Sequence, residues 1–194
     1  MRDAARLGAS WGALALALIV LMGCERRPTE ADAGASTLLT IGEDGVGDLT
    51  STTPFSREAL EAALPAGFAL EESRVLAEGD TIPTPILYAF HDGHLVLEIS
   101  PDANGRRIER IDAASARVEG PHGLRPGIGF AEARGDRMRC APGRGDLSGR
   151  AVCSPGSGPL RYVFAHGGAP TPEALPDDET MQRSILERIV WMAP

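Results

Sequence analysis

The chain has 194 residues, a formal net charge of −8 and 43% hydrophobic residues, and it contains no lysine, so all 19 of its Lys+Arg positions are arginine. An acidic chain lacks the basic footprint that phosphates demand, which excludes nucleic acid as the expected partner. With a leader set aside, about 170 residues remain, enough for one domain with its own core.

Arg2 and Arg6 give a positive start, diluted by Asp3, and residues 11–22 are uncharged and rich in Leu, Ala, Ile and Val. A run of that length is too short to span a bilayer, which takes about 20 residues, and it fits the apolar region of a secretory signal. Leu21-Met22-Gly23-Cys24 closes the run. Small Gly23 suits a peptidase cleft, and the Cys24 thiol is the nucleophile that accepts a diacylglyceryl group. The motif resembles the lipobox of bacterial lipoproteins, with Met22 where a small Ala or Ser is commoner. The expected organisation is a lipoprotein signal peptide over residues 1–23, a flexible tether over 24–37 and a single globular envelope domain over 38–194. Cys24 is the expected lipidation site, with palmitate among its acyl chains. Each buried methylene contributes about 0.8 kcal/mol, so two or more chains hold the protein at a membrane. Glu25 rather than Asp after the cysteine favours the outer membrane, facing the periplasm, by resemblance to enterobacterial sorting.

Glycine and proline recur about every ten residues, which predicts many short elements. Residues 38–41 read as a first strand, after which the glycines of residues 42–47 turn the chain. Their spacing is not that of a dinucleotide fingerprint. Ser56 is the expected N-cap of the best helix, with Glu58 at its positive end, Leu60 and Leu64 on one face, and Pro65 and Gly67 at its stop. Residues 68–77 are strand-like. Residues 86–90 and 95–99 form the clearest hairpin, turning at Asp92-Gly93, where both positions tolerate positive φ. Residues 102–105 predict a second turn. In residues 107–111 the two isoleucines fall out of strict phase, which predicts a bulge or a bend, and residues 116–118 are expected to continue that strand. Residues 160–164 alternate as a strand. Residues 185–192 fit an amphipathic helix with Ile185, Ile189 and Met192 aligned or a terminal strand, and the favoured reading is a helical turn at residues 178–182 followed by a strand. The fold class is α+β, predominantly antiparallel β-sheet with one or two short helices.

With Cys24 lipidated, Cys140 and Cys153 form an even pair in an oxidising compartment. The segment between them is turn-rich, so two extended stretches can lie side by side as a disulfide requires. Closing such a loop stabilises the fold by about 3 kcal/mol in the chain-entropy picture.

Catalytic signals are weak, and the motifs call for no cofactor. His91 and His94 flank the Asp92-Gly93 turn and are the weak candidates for a metal site, with Asp92 or His122 as a third ligand. Otherwise they are hairpin-tip polar residues, and His166 reads as loop. Ser154 and Ser157 lack the spacing and context of a nucleophile elbow. Glu58, Glu61, Glu71, Glu72, Glu98 and Glu109 offer carboxylates with no pair singled out for glycoside chemistry. The aromatic residues read as core. The glycine bend at Gly127-Ile128-Gly129-Phe130 enters a short helix. It either exposes N–H groups to an anion or makes a packing corner. The arginine groups Arg106-Arg107, Arg134-Arg137-Arg139 and Arg144-Arg150-Arg161 are solvated faces or, alternatively, an anionic-ligand patch.

The lipobox, the Ile-Gly-x-x-Gly-Val-Gly segment at residues 41–47, Thr53-Pro54-Phe55 before the helix, the Gly-Ile-Gly-Phe corner, Cys140 with Cys153, and the Ile-Val-Trp-x-x-Pro ending together resemble the RpoE-regulated lipoprotein family. The resemblance implies a small, sheet-rich envelope domain with no assigned activity, linked to envelope stress or maintenance. It supplies no catalytic residues. The resulting expectation is a membrane-anchored lipoprotein of the cell envelope, a non-enzymatic binding or structural module whose envelope-protein or small-molecule partner stays open. The alternative is an envelope hydrolase or metal-dependent enzyme.

Overall fold

In the computed structural model, eight strands lie side by side in one antiparallel sheet, and irregular chain covers one of its faces. The structure describes residues 36–76, 81–167 and 173–194. The signal peptide, Cys24 and the tether up to residue 35 lie outside the described residues.

Three two-residue strands come first: β1 (Leu39–Thr40), β2 (Gly45–Val46) and β3 (Leu49–Thr50). Helix α1 (Arg57–Ala63) follows, with the Ser56 side chain accepting from Ala59 N–H as the expected N-cap. Its Leu60, and Leu64 just past its end, are buried. Next comes a meander of β4 (Phe68–Val75), β5 (Thr84–His91), β6 (His94–Pro101) and β7 (Ile108–Ala113). Strand β8 (Val118–Glu119) is followed by loops with two 3₁₀ turns. Strands β9 (Arg139–Pro142), β10 (Ala151–Ser154) and β11 (Leu160–Ala165) form a second meander, and α2 (Asp178–Gln182) leads into the last strand, β12 (Ile185–Met192).

The sheet order is β4-β5-β6-β7-β12-β11-β10-β9, so the last strand joins the two meanders. One row of facing residues crosses all eight strands: Leu70, Ala89, Leu97, Ala113, Ile189, Tyr162, Cys153 and Cys140. This row and its neighbours, Ile99, Ile111 and Trp191, form the sheet side of the core. Leu39, Ile41, Val46, Leu49, Leu60, Leu124 and Phe130 pack on it from the covering layer. The Trp191 indole N–H donates to the Glu43 carbonyl at 3.0 Å, pinning the glycine turn of residues 42–45 to the sheet.

The hairpin turn is as expected. Asp92 (φ 52°) and Gly93 (φ 75°) are both left-handed, and His91 pairs with His94. The expected bulge is present too. Ser100 pairs with Arg110 and Pro101 with Ile108, leaving Glu109 as the extra residue. That is why Ile108 and Ile111 are both buried despite their odd spacing. Residues 116–118 do not continue β7. The chain bends after Ala113, Val118 N–H bonds the Ser115 carbonyl, and β8 pairs in parallel with β1 in a small separate sheet. Nor does the Gly127 bend enter a helix. Ala133 N–H bonds the Gly129 carbonyl in a single turn.

Candidate functional site

The hairpin tip holds the two histidines considered for a metal. His91 Nδ1 lies 3.0 Å from Arg117 Nη1 and 3.0 Å from Asp92 Oδ2, and its ring packs edge-on against Phe68. Arg117 also reaches Asp92, at 3.1 Å, and with His91 it holds that carboxyl below its usual range, the Arg117 hydrogen bond contributing most. His91 therefore serves as a strut between the hairpin and the segment before β8. His94 is exposed. Among the described residues no three His, Cys, Asp or Glu side chains gather closely enough to hold a metal ion, and His122 does not join the pair.

The sheet face opposite the main core carries a charged cluster that the sequence reading missed. Asp112 is 1% exposed and receives a two-pronged bond from Arg110, at 2.6 and 2.8 Å, plus a longer one from Arg188 at 3.4 Å. Such a buried carboxylate is tolerable only because two guanidiniums face it. The loop between β9 and β10 folds over this face. Its Asp146 accepts from Arg110 at 2.8 Å, and Arg150 bonds Glu187, which also accepts from Arg188. Burial pushes Glu187 up, but the hydrogen bonds from Arg188 and Arg150 outweigh it and hold the carboxyl low. Glu98, one of the six sequence candidates and the cross-strand partner of Asp112, has its carboxyl pushed up, first by burial and then by Asp112. No strand pattern marks this cluster. It arises when β6, β7 and β12 align polar residues that are far apart in the chain.

The disulfide joins Cys140 and Cys153, which are direct partners across β9 and β10 with Cα atoms 4.0 Å apart. It closes the base of the loop that reaches Arg110. Ser154 ends β10 and Ser157 sits in the turn that follows, and neither has a hydrogen-bonding base among the described residues. Three of the four N–H groups of the glycine bend are already occupied, with Ile128 donating to the Arg125 carbonyl at 3.3 Å. Gly127 donates to the Leu186 carbonyl at 2.7 Å and Phe130 to the Ser184 carbonyl at 2.9 Å. The bend is thus a packing corner and offers those three donors to no anion.

An open groove of about 880 Å³ lies beside the β10–β11 end of the sheet. Three distant segments build it: the 3₁₀ turn Pro121–Gly123 with Leu124, the chain around residues 132–138, and the turn at residues 155–159. Buried Leu124, Ala133, Leu160 and Tyr162 form its floor. Arg134, Arg137 and His122 stand on its rim, and Glu43 and Glu132 also line it. Burial pushes the Tyr162 phenol up. Arg134 and Arg137 belong to one of the arginine groups read in the sequence as solvated or anion-binding.

With this geometry in hand, comparison with known proteins is informative. Residues 33–193 match the family described as "Protein of unknown function (DUF1131)". The chain belongs to the DUF1131 family. It is also similar to the Escherichia coli K12 protein titled "Uncharacterized protein YfeY", at 27% identity over 161 residues, which cover 81% of each chain. The crystal structure of that E. coli protein superimposes with a TM-score of 0.63 and 22% identity, covering 79% of this chain and 99% of the other. At that identity the likeness speaks for a shared fold. The DUF1131 match spans the whole sheet, both halves of the groove and the disulfide.

Proposed function

We propose that this DUF1131 protein is a lipid-anchored protein of the bacterial cell envelope, most simply at the outer membrane, whose folded domain is a non-enzymatic binding module. The observation that carries the reading is the groove, a concave site beside the disulfide-linked edge of the sheet, with an apolar floor and a few polar groups at its rim. Ligand sites have this make-up. The anchor half rests on the Leu-Met-Gly-Cys ending of the apolar leader and on the polar residues between Cys24 and the first strand. Resemblance to RpoE-regulated lipoproteins supports the same place and a role in envelope maintenance.

The anchor is tested by metabolic labelling with a fatty acid. The parent chain is expected to take up label and to partition with membranes. Cys24→Ser is expected to lose the label and to be released or left unprocessed. Equal labelling of the two proteins would disprove lipidation at Cys24. Turnover in a broad hydrolase screen, abolished by a single point substitution, would disprove the non-enzymatic half.

A further inference from the structure

The binding reading above says that the groove is used but not by what, and the side chains around it narrow the choice. One polar group reaches the apolar floor. Tyr162 is 1% exposed and lines the groove, and its hydroxyl has no hydrogen-bond partner among the described residues. The ring is buried, but the hydroxyl oxygen is not among the buried unpartnered polar atoms of the described residues, so it keeps contact with solvent. A ligand oxygen in the groove can take the place of that water.

The rim asks for negative charge. The side chains of Arg134 and Arg137 are exposed and make no ion pair or hydrogen bond among the described residues, so neither is paired with Glu43 or Glu132, which also line the groove. Two of the three left-handed non-glycine residues, His122 (φ 60°) and Arg134 (φ 54°), are on this rim, while the third, Asp92, is explained by its hairpin turn. Such backbone persists where its surroundings over-determine it. A separate hollow that shares only Gly156 with the groove lies against the opposite face of strands β9 to β11 and holds Arg139, Arg144 and Arg161. On a chain of net charge −8 the long-range field repels anions, so capture has to come from guanidiniums at short range.

We propose that the groove binds a small anionic amphiphile. Its apolar body lies on Leu124, Ala133 and Leu160, its phosphate or carboxylate head is held by Arg134 and Arg137, and one of its oxygens accepts from the Tyr162 hydroxyl. A guanidinium presents paired donors that suit either head group.

This inference deepens the binding reading and is tested independently of the anchor. The full chain in neutral detergent is titrated by calorimetry with octyl phosphate, octanoate, octanol and inorganic phosphate, and titrations into protein-free micelles are subtracted. At least one of the two anionic amphiphiles is expected to saturate a single site, and the tighter of them identifies the head group. Octanol and inorganic phosphate, each lacking half of the ligand, are expected to bind at least about tenfold more weakly. Arg134→Ala with Arg137→Ala is expected to weaken binding by about tenfold or more, and Tyr162→Phe, which keeps the ring, by about threefold or more. Arg139→Ala with Arg144→Ala, in the neighbouring hollow, is expected to leave binding unchanged. Circular dichroism of each variant checks that it is folded. The proposal is overturned if neither anion saturates a site, if folded Arg134/Arg137 variants bind like the parent, or if inorganic phosphate alone binds as tightly. Failure here leaves the fatty-acid labelling result standing, and the reverse also holds.

Discussion

A Cβ on Gly135 would lie 2.1 Å from Phe130 Cε2 and 2.3 Å from its Cδ2. The ring cannot swing away freely, because Phe130 is 5% exposed and stacks edge-on against Phe164 with centroids 5.1 Å apart. Gly135→Ala is therefore expected to overpack the wall behind the groove and to destabilise by about 1–3 kcal/mol. Gly129→Ala provides the control. Its backbone is not left-handed, nothing lies within 4 Å of the added atom, and the change is expected to be neutral or mildly stabilising. Urea midpoints of the two variants check this, and equal midpoints would refute the close-approach argument. Neither glycine announces its role in the sequence, since only the fold brings Phe130 onto Gly135. Asp92-Gly93 is the opposite case. Two adjacent residues that tolerate positive φ, between alternating apolar runs, specify their turn without help from distant chain.

At the scale of elements, local chemistry was legible and distant pairing was not. Ser56, Leu60 and Leu64 marked α1, and the misphased isoleucines of β7 marked its bulge. The two-residue pairing of β1 with β8 carries no pattern at all, because a strand so short has no alternation to display and its partner lies about eighty residues away. The pairing of Cys140 with Cys153 was readable from compartment and parity, and the structure adds its consequence. The disulfide closes the base of the loop whose Asp146 and Arg150 reach over β10, β11 and β12 to Arg110 and Glu187. Replacing both cysteines with alanine frees a loop of 13 residues' separation and is expected to cost about 3 kcal/mol. At about 2–4 °C per kcal/mol for a domain of this size, the thermal midpoint should fall by about 6–12 °C. Calorimetry of the parent and the double variant checks the size of the drop. Thiol titration of the unfolded, unreduced parent checks the bond itself, and two reactive thiols from this pair would overturn the assignment.

Across the whole molecule, the net charge of −8 conceals a division of labour among the acids. The groove and the charged cluster were invisible in the sequence because each is assembled from segments that only the folded sheet brings together. Once assembled, the acids respond to pH in opposite directions. Hydrogen bonds from the backbone N–H of Arg106 hold Asp102 low, those from Thr37 and Arg125 hold Glu119 low, and those from Thr180 hold the helix-capping Asp177 low. These groups, with Asp92 and Glu187, bind protons more weakly folded than unfolded. Their stabilisation is present above the ordinary carboxylate range and is lost as pH falls through their lowered values. Glu98 has the opposite sign. Burial on the strand beside Asp112 makes it hold its proton more tightly when folded, so its contribution is present below its ordinary value of 4.5 and is lost as pH rises through the raised one. Arg188 and Arg110 moderate this loss without reversing it. Glu98→Gln keeps the shape and removes the charge. The variant is therefore expected to gain stability relative to the parent as pH rises from about 4 to about 7, while both proteins lose stability together below about pH 4. Urea midpoints measured across that range test the sign. A stability difference between Glu98→Gln and parent that stays flat, or that shrinks toward neutral pH, would show that Glu98 ionises in the folded protein as freely as in the unfolded chain.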